Sequence, residues 1–188
     1  MIRRLSLSSS LGILSGLICV GVASADAPKV GDAAPDFTLK TPGGETVRLA
    51  TLREKGPVVL VVLRGWPGYQ CPICTQQVGE LIGKASELAE AGAQTVLVYP
   101  GPAQGLEEHA SEFSRGKTLP DNFHFVVDPD YDLTKAYDLR WNAPRETAYP
   151  STFVVGKDGR IAFAKISHSH GDRARAGDVL EALGRLKK

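Results

Sequence analysis

Cysteine is scarce in this chain, with three among 188 residues. That excludes a multi-bridge disulfide scaffold, and so few cysteines beside scattered histidines speak against a four-ligand structural zinc site. An excess of one charge is also missing, since 22 Lys and Arg stand against 21 Asp and Glu. No electrostatic field therefore recommends a nucleic-acid partner. There is no internal repeat, low-complexity tract or heptad run, so solenoids and coiled coils drop out. A membrane span is missing too. The apolar stretch Leu11 to Val22 is broken by glycine and falls short of the roughly 20 residues that a spanning helix needs.

What that stretch does fit is an export leader. Arg3 and Arg4 make a basic start, and Ala23-Ser24-Ala25 is a small-x-small cleavage site. The expectation is a signal peptide over residues 1–25, cut before Asp26, and one domain over residues 26–188. The mature protein would be periplasmic or secreted, without a membrane span. Two variants stand beside this. Arg3-Arg4-Leu5-Ser6-Leu7 is a partial twin-arginine signal, and Cys19 is a candidate lipid anchor, although Ile18 fills the preceding position where a small residue belongs. Loss of the leader removes two arginines and one cysteine, taking the formal charge from +1 to −1. The two remaining cysteines are Cys71 and Cys74.

Those two form the stretch Cys71-Pro72-Ile73-Cys74, set after the apolar run Val58 to Leu63 and before a helical pattern. Val78, Leu81, Ile82, Ala85, Leu88 and Ala89 recur at helical spacing. Pro72 suits a first helical turn, where its missing N–H costs nothing. Cys71 then sits near the N-cap, facing unpaired N–H groups and the positive end of the helix dipole, a field that favours thiolate over thiol. Two sulfurs this close can also join as a Cys71–Cys74 disulfide. The loop so closed is too small for a useful staple, so the pair reads as redox chemistry.

Around the pair, the pattern is α/β. Short strands are expected over Phe37–Leu39 and Thr46–Leu49, about a Pro42-Gly43-Gly44 turn. The run from Pro57 to Leu63 reads as a central strand covered on both faces. Thr95–Tyr99 and Phe123–Val127 are further buried strands. Thr152–Val155 and Ile161–Ile166 flank Gly156-Lys157-Asp158-Gly159 as a hairpin. Helices are expected over Leu106–Phe113, Leu133–Leu139 and Val179–Leu186. The order is β-β-β-α-β-α-β-α-β-β-α, a sheet flanked by helices with an antiparallel hairpin at one end.

A CxxC where a central strand meets a helix resembles the thioredoxin-like arrangement. Three further stretches are similar to the redoxin family, which includes alkyl hydroperoxide reductase and thiol-specific antioxidant peroxiredoxins and exported thioredoxin-like reductases. They are Gly31-Asp32-Ala33-Ala34-Pro35-Asp36-Phe37-Thr38-Leu39, Phe125-Val126-Val127-Asp128-Pro129-Asp130 with Lys135-Ala136-Tyr137, and Pro150-Ser151-Thr152-Phe153 running on to Gly159. The resemblance covers the chain from about Val30 onward. It implies a thioredoxin-like fold with a central mixed sheet, and no cofactor, since the sulfurs carry the electrons.

The family's two branches imply different chemistry. In the exchange branch, Cys71 attacks a protein disulfide and Cys74 resolves the mixed disulfide. Tyr149 and a cis-Pro150 would then wall the substrate backbone. Peroxiredoxins instead carry Pro-x-x-x-Thr-x-x-Cys. Pro67-Gly68-Tyr69-Gln70-Cys71-Pro72-Ile73-Cys74 matches that spacing with Cys71 at the threonine position, which makes Cys74 the residue that attacks peroxide. The arginine of that branch, three residues before Phe153, is here Pro150. The CxxC and Pro150 favour exchange, and peroxide reduction is the alternative. The partners are protein thiols or disulfides, or peroxides, together with a thiol electron donor.

Other residues carry weaker signals. Arg64 is either a source of positive potential near the thiols or a solvated loop charge. Trp66 and Tyr69 either wall the site or pack at the strand end. Trp141 and Arg145 either touch substrate, or stand in for the missing arginine, or are simple loop packing. His168 and His170 with the two thiols would suit copper(I) delivery, a third reading; otherwise they are solvated loop residues. His109 reads as a surface residue, His124 as the outward side of a strand, and Glu107-Glu108 as a solvated helix face.

Overall fold

The computed structural model describes residues 26–187. The expected leader and Cys19 lie outside the described residues. From Thr38 onward the chain forms seven strands and six helices. They are β1 (Thr38–Lys40), β2 (Thr46–Arg48), α1 (Leu49–Lys55), β3 (Val58–Val62), α2 (Pro72–Ile82), α3 (Ala85–Glu90) and β4 (Gln94–Gly101), followed by α4 (Leu106–Ser114), β5 (Phe123–Pro129), α5 (Asp132–Ala136), β6 (Ser151–Val155), β7 (Ile161–Ile166) and α6 (Ala176–Leu186).

The strands make one mixed sheet in the order β2-β1-β5-β4-β3-β6-β7. At its centre β3 pairs parallel with β4 and antiparallel with β6. Its five residues, Val58 to Val62, are all buried. Alternation sends them to opposite sides. Val59 and Val61 join a core with Val78, Leu88, Leu106, Phe113 and Val179, under α2, α3, α4 and α6. Val58, Leu60 and Val62 join a second core with Leu49, Leu52 and Leu133, under α1 and α5. A strand covered on both faces thus reads as a continuous apolar run in the sequence, here mostly valine. Each such side chain contributes about 2 kcal/mol through burial.

The expected strands and the late hairpin are present. Gly156 and Arg160 close that hairpin with an N–H to O bond of 2.8 Å. The differences lie in short or glycine-marked helices. Leu49, expected at the end of a strand, instead starts α1, whose N-cap Arg48 makes no side-chain capping bond. Without a cap or sufficient length, tertiary burial of Leu49 and Leu52 holds this helix rather than propensity. The single helix expected after the cysteines divides at Gly83, the C-cap of α2, whose N–H donates to the Gly79 carbonyl at 2.9 Å.

The loop leaving β3 is fixed against β4. The Trp66 N–H donates to the Pro100 carbonyl at 3.0 Å. Gly65 has φ +71°, and a Cβ there would overlap that carbonyl oxygen. Both the left-handed backbone and the close approach require glycine. Gly65→Ala is expected to cost more than about 2 kcal/mol, read as a lower midpoint in denaturant unfolding. An unchanged midpoint would show that this loop is not held as described.

Candidate active site

The loop after β3 delivers Cys71 as the N-cap of α2, in extended backbone (φ −79°, ψ 113°), with Pro72 in the first turn. The Cys71 sulfur takes the place of a capping oxygen and accepts from the Cys74 N–H at 3.4 Å. Cys74 lies inside the first turn, and its sulfur accepts from the Arg64 backbone N–H at 3.4 Å. Both cysteines are free thiols with little exposure, 3% for Cys71 and 1% for Cys74.

The two thiols shift each other's ionisation in opposite directions. Cys71 is pulled down to about 5, first by the hydrogen bond from the Cys74 side chain. Burial opposes this, while the Cys74 N–H and the charges of Arg173 and Arg64 assist. Cys74 is pushed well above its ordinary range, first by the same sulfur–sulfur hydrogen bond and then by burial. At neutral pH the pair therefore carries one proton and one negative charge.

Tertiary structure brings two distant loops onto this pair. One, between α5 and β6, is closed by the Arg140–Ala148 bridge. Its Glu146 meets Arg64 in a nearly buried ion pair, with Nε to Oε2 at 2.7 Å and Nη2 to Oε1 at 3.0 Å. The Arg64 guanidinium also donates to the Tyr69 hydroxyl and, at 2.8 Å, to the Arg145 carbonyl. Arg64 is thus no solvated loop charge, being only 2% exposed. Its side chain is committed to this network, and only its backbone N–H touches a sulfur. Burial alone would push Glu146 up, but the hydrogen bonds from Arg64 and His170 outweigh it and hold the carboxyl below its ordinary range.

The second loop follows β7. His170 Nε2 lies 2.9 Å from Glu146 Oε1, and the His170 carbonyl accepts from Arg173 Nε at 3.0 Å. Arg173 then turns its fork onto the thiols, with Nη1 at 3.5 Å from the Cys74 sulfur and Nη2 at 3.8 Å from the Cys71 sulfur. Nη1 also donates to Gln77 Oε1 at 2.9 Å. Neither Arg173 nor Glu146 was marked by the sequence. Both lie in irregular loops, and nothing in their local pattern distinguishes them from other charged residues.

Several expected residues stand elsewhere. Pro150 is not cis, since the described residues contain no cis peptide bond. It is buried at the start of β6, one step beyond the Val62–Ser151 pair, and its carbonyl accepts from the Ser167 N–H at 2.9 Å. Tyr149 stacks on Trp141 with centroids 4.8 Å apart and meets His168 at 5.0 Å. No hydrogen bond joins either Tyr149 or Pro150 to a sulfur. Arg145 is exposed and has φ +60°; its carbonyl, not its guanidinium, enters the network. Trp66 stacks on His109 at 3.6 Å, so His109 is packed rather than simply exposed. Gln70 links this side, accepting from the Tyr99 hydroxyl and donating to the His109 carbonyl, both at 2.8 Å. Among the described residues no group of three His, Cys, Asp or Glu side chains converges as a metal site.

Fold and pair together define a thioredoxin-fold thiol oxidoreductase, with its dithiol where a central strand gives way to a helix. The chain belongs to the AhpC/TSA family, whose model matches residues 30–164. It is 30% identical over 139 residues to peroxiredoxin Bcp of Bacillus subtilis, covering 71% of this chain and 82% of that protein. The structure of peroxidoxin BcpB from Mycobacterium tuberculosis superimposes with a TM-score of 0.68 at 24% identity, over 86% of this chain and 99% of the other. That of AhpC from the same organism also gives 0.68, at 18% identity, over 86% and 94%. These two structures support the fold.

Proposed function

We propose that the protein reduces hydroperoxides, with Cys74 as the attacking sulfur and Cys71 as the resolving thiol. One observation carries this over disulfide exchange. Cys71, the sulfur that would attack in exchange, is only 3% exposed, while the Cys74 sulfur, 1% exposed, sits beneath two N–H donors, from Arg64 and Arg173. A small peroxide can enter such a site, whereas a protein disulfide needs an exposed sulfur in line with its own. Relatives named peroxiredoxin point the same way.

The cycle balances on the pair alone. The pair's one proton moves from Cys74 to Cys71, leaving a Cys74 thiolate. That sulfur attacks one peroxide oxygen, the S–O bond forms and the O–O bond breaks. The departing oxygen takes the Cys71 proton and leaves as an alcohol or water. The Cys71 thiolate then displaces hydroxide from the Cys74 sulfenic acid, which leaves as water with one solvent proton, and the disulfide closes. An external thiol donor returns the two electrons. In this scheme Cys71, at the threonine position, acts as both acid and resolver.

Disulfide exchange remains the second reading, because Cys71 is the helix N-cap and is pulled down to about 5. Rapid mixing of the reduced protein with hydrogen peroxide, and separately with an oxidised protein disulfide, separates the two. Oxidation by peroxide should be the faster reaction. Its rate should be flat from about pH 6 upward and fall as pH drops through about 5, because protonation removes the thiolate. Slow peroxide oxidation beside fast exchange would sink the proposal. We further propose that this chemistry takes place outside the cytoplasm, on the strength of the basic start, apolar stretch and Ala23-Ser24-Ala25 site.

A further inference from the structure

We propose that Arg173 is a catalytic residue of this site, its guanidinium holding the negative charge of the dithiol pair in place of the arginine absent at position 150. The observation is one of unbalanced charge. Arg173 is half-buried, and among the described residues no carboxylate lies within ion-pair distance of it. Arg64, its neighbour in space, is neutralised by Glu146. The polar partners of Arg173 are the His170 carbonyl, Gln77 Oε1 and the two sulfurs. A desolvated cation needs a counter-charge, and the only partner able to become an anion is the thiol pair. The charge of Arg173 accordingly favours the ionised form of each cysteine.

The chain builds this placement deliberately. The loop carrying Arg173 is pinned at its start by the Ser167 N–H on the Pro150 carbonyl. In its middle, Lys165 Nζ pairs with Asp172 at 2.7 Å. At its end, Glu80 Oε1 accepts from the Ala176 N–H at 2.8 Å. The residue standing where the resemblance calls for arginine thus anchors the loop that supplies one from elsewhere. Arg173 also lines a cleft of about 170 Å³ with Ile73, Gln77 and Glu80, so the residue that reaches the sulfurs also borders open space.

The inference rests on the thiol-peroxidase reading for its kinetic arm only, because thiolate titration needs no substrate. In Arg173→Gln, the first ionisation of the pair, followed by thiolate absorbance in the ultraviolet, should move up by about 1–2 pH units. Peroxide oxidation at neutral pH should slow by roughly tenfold or more. Arg173→Lys, which keeps the charge without the fork, should restore most of the titration and part of the rate. Arg185→Gln, on the exposed face of α6, should leave both unchanged. Near-ultraviolet circular dichroism checks that the site stays folded; if Arg173→Gln fails there, Arg173→Met, which keeps an unbranched stem without the charge, carries the same test with the same expected shift. A titration in Arg173→Gln that superimposes on that of the parent overturns the inference, whatever the peroxide rate. A shifted titration in a protein that proves slow towards peroxide sinks the proposed function and leaves the role of Arg173 standing.

Discussion

Cys74→Ser is expected to lose peroxide reduction by roughly four orders of magnitude or more, the scale on which removing a covalent nucleophile acts. Cys71→Ser is expected to keep the first oxidation within about tenfold, because serine restores a hydroxyl at the threonine position of the family pattern and one hydrogen bond contributes little more than that. This variant also removes the main influence pushing Cys74 up, the hydrogen bond with Cys71 itself. The Cys74 thiolate then answers to burial on one side and to Arg173 and the Arg64 N–H on the other. What Cys71→Ser cannot do is resolve. Its Cys74 sulfenic acid should persist, visible as one added oxygen by mass spectrometry, and climb to sulfinic acid in excess peroxide. The reverse pattern, with Cys71→Ser inert and Cys74→Ser reactive, would assign the attack to Cys71 and favour exchange.

The largest effect on stability should come from Arg64→Leu. The Arg64 and Glu146 side chains are only 3% and 11% exposed, and they meet at 2.7 Å. Deleting the guanidinium leaves the Glu146 carboxylate with His170 alone, a partner that is 42% exposed. Breaking one side of a buried pair leaves an uncompensated charge, at about 3–5 kcal/mol. For a chain of this size that is a fall in Tm of roughly 10 °C. The double variant Arg64→Leu with Glu146→Leu should recover much of the loss, because it leaves no orphan charge. Calorimetry and denaturant unfolding of the two variants provide the check, and a single variant as stable as the parent would show the pair to be incidental. The pH dependence has a definite sign. Glu146 is held below its ordinary range in the folded protein, so its contribution is present above the unfolded carboxyl pKa. It is lost as pH falls through the lowered folded value. Arg64→Leu should therefore flatten the acid limb of the stability curve.

Thr46 to Leu49 shows where local reading runs out. Its alternation is strand-like up to Arg48. Nothing nearby signals that Leu49 turns into α1, because seven residues without a capping side chain form a helix only when a core receives them. Val58 to Leu63 is the opposite case. Its unbroken, valine-rich apolar run allows one environment, a strand between two layers, and the sheet supplies it. The Gly156–Gly159 hairpin and the helical spacing after Cys74 were legible for the same reason, since backbone conformation there is set by neighbours along the chain.

The sulfurs divide in the same way. That Cys71 would cap a helix with Cys74 in its first turn follows from Pro72 and the apolar spacing beyond, so the placement of the pair was written in one short stretch. Which charges attend those sulfurs was not. Glu146 is 82 residues from Arg64 and Arg173 is 99 from Cys74, and no periodicity spans such separations. Their meeting depends on how the sheet places the ends of β3, β6 and β7 side by side. Electrostatic attraction falls with distance in space, not along the chain. Composition and local pattern thus settled the kind of reacting atom and the element it rides on, while packing alone chose the cation that faces it.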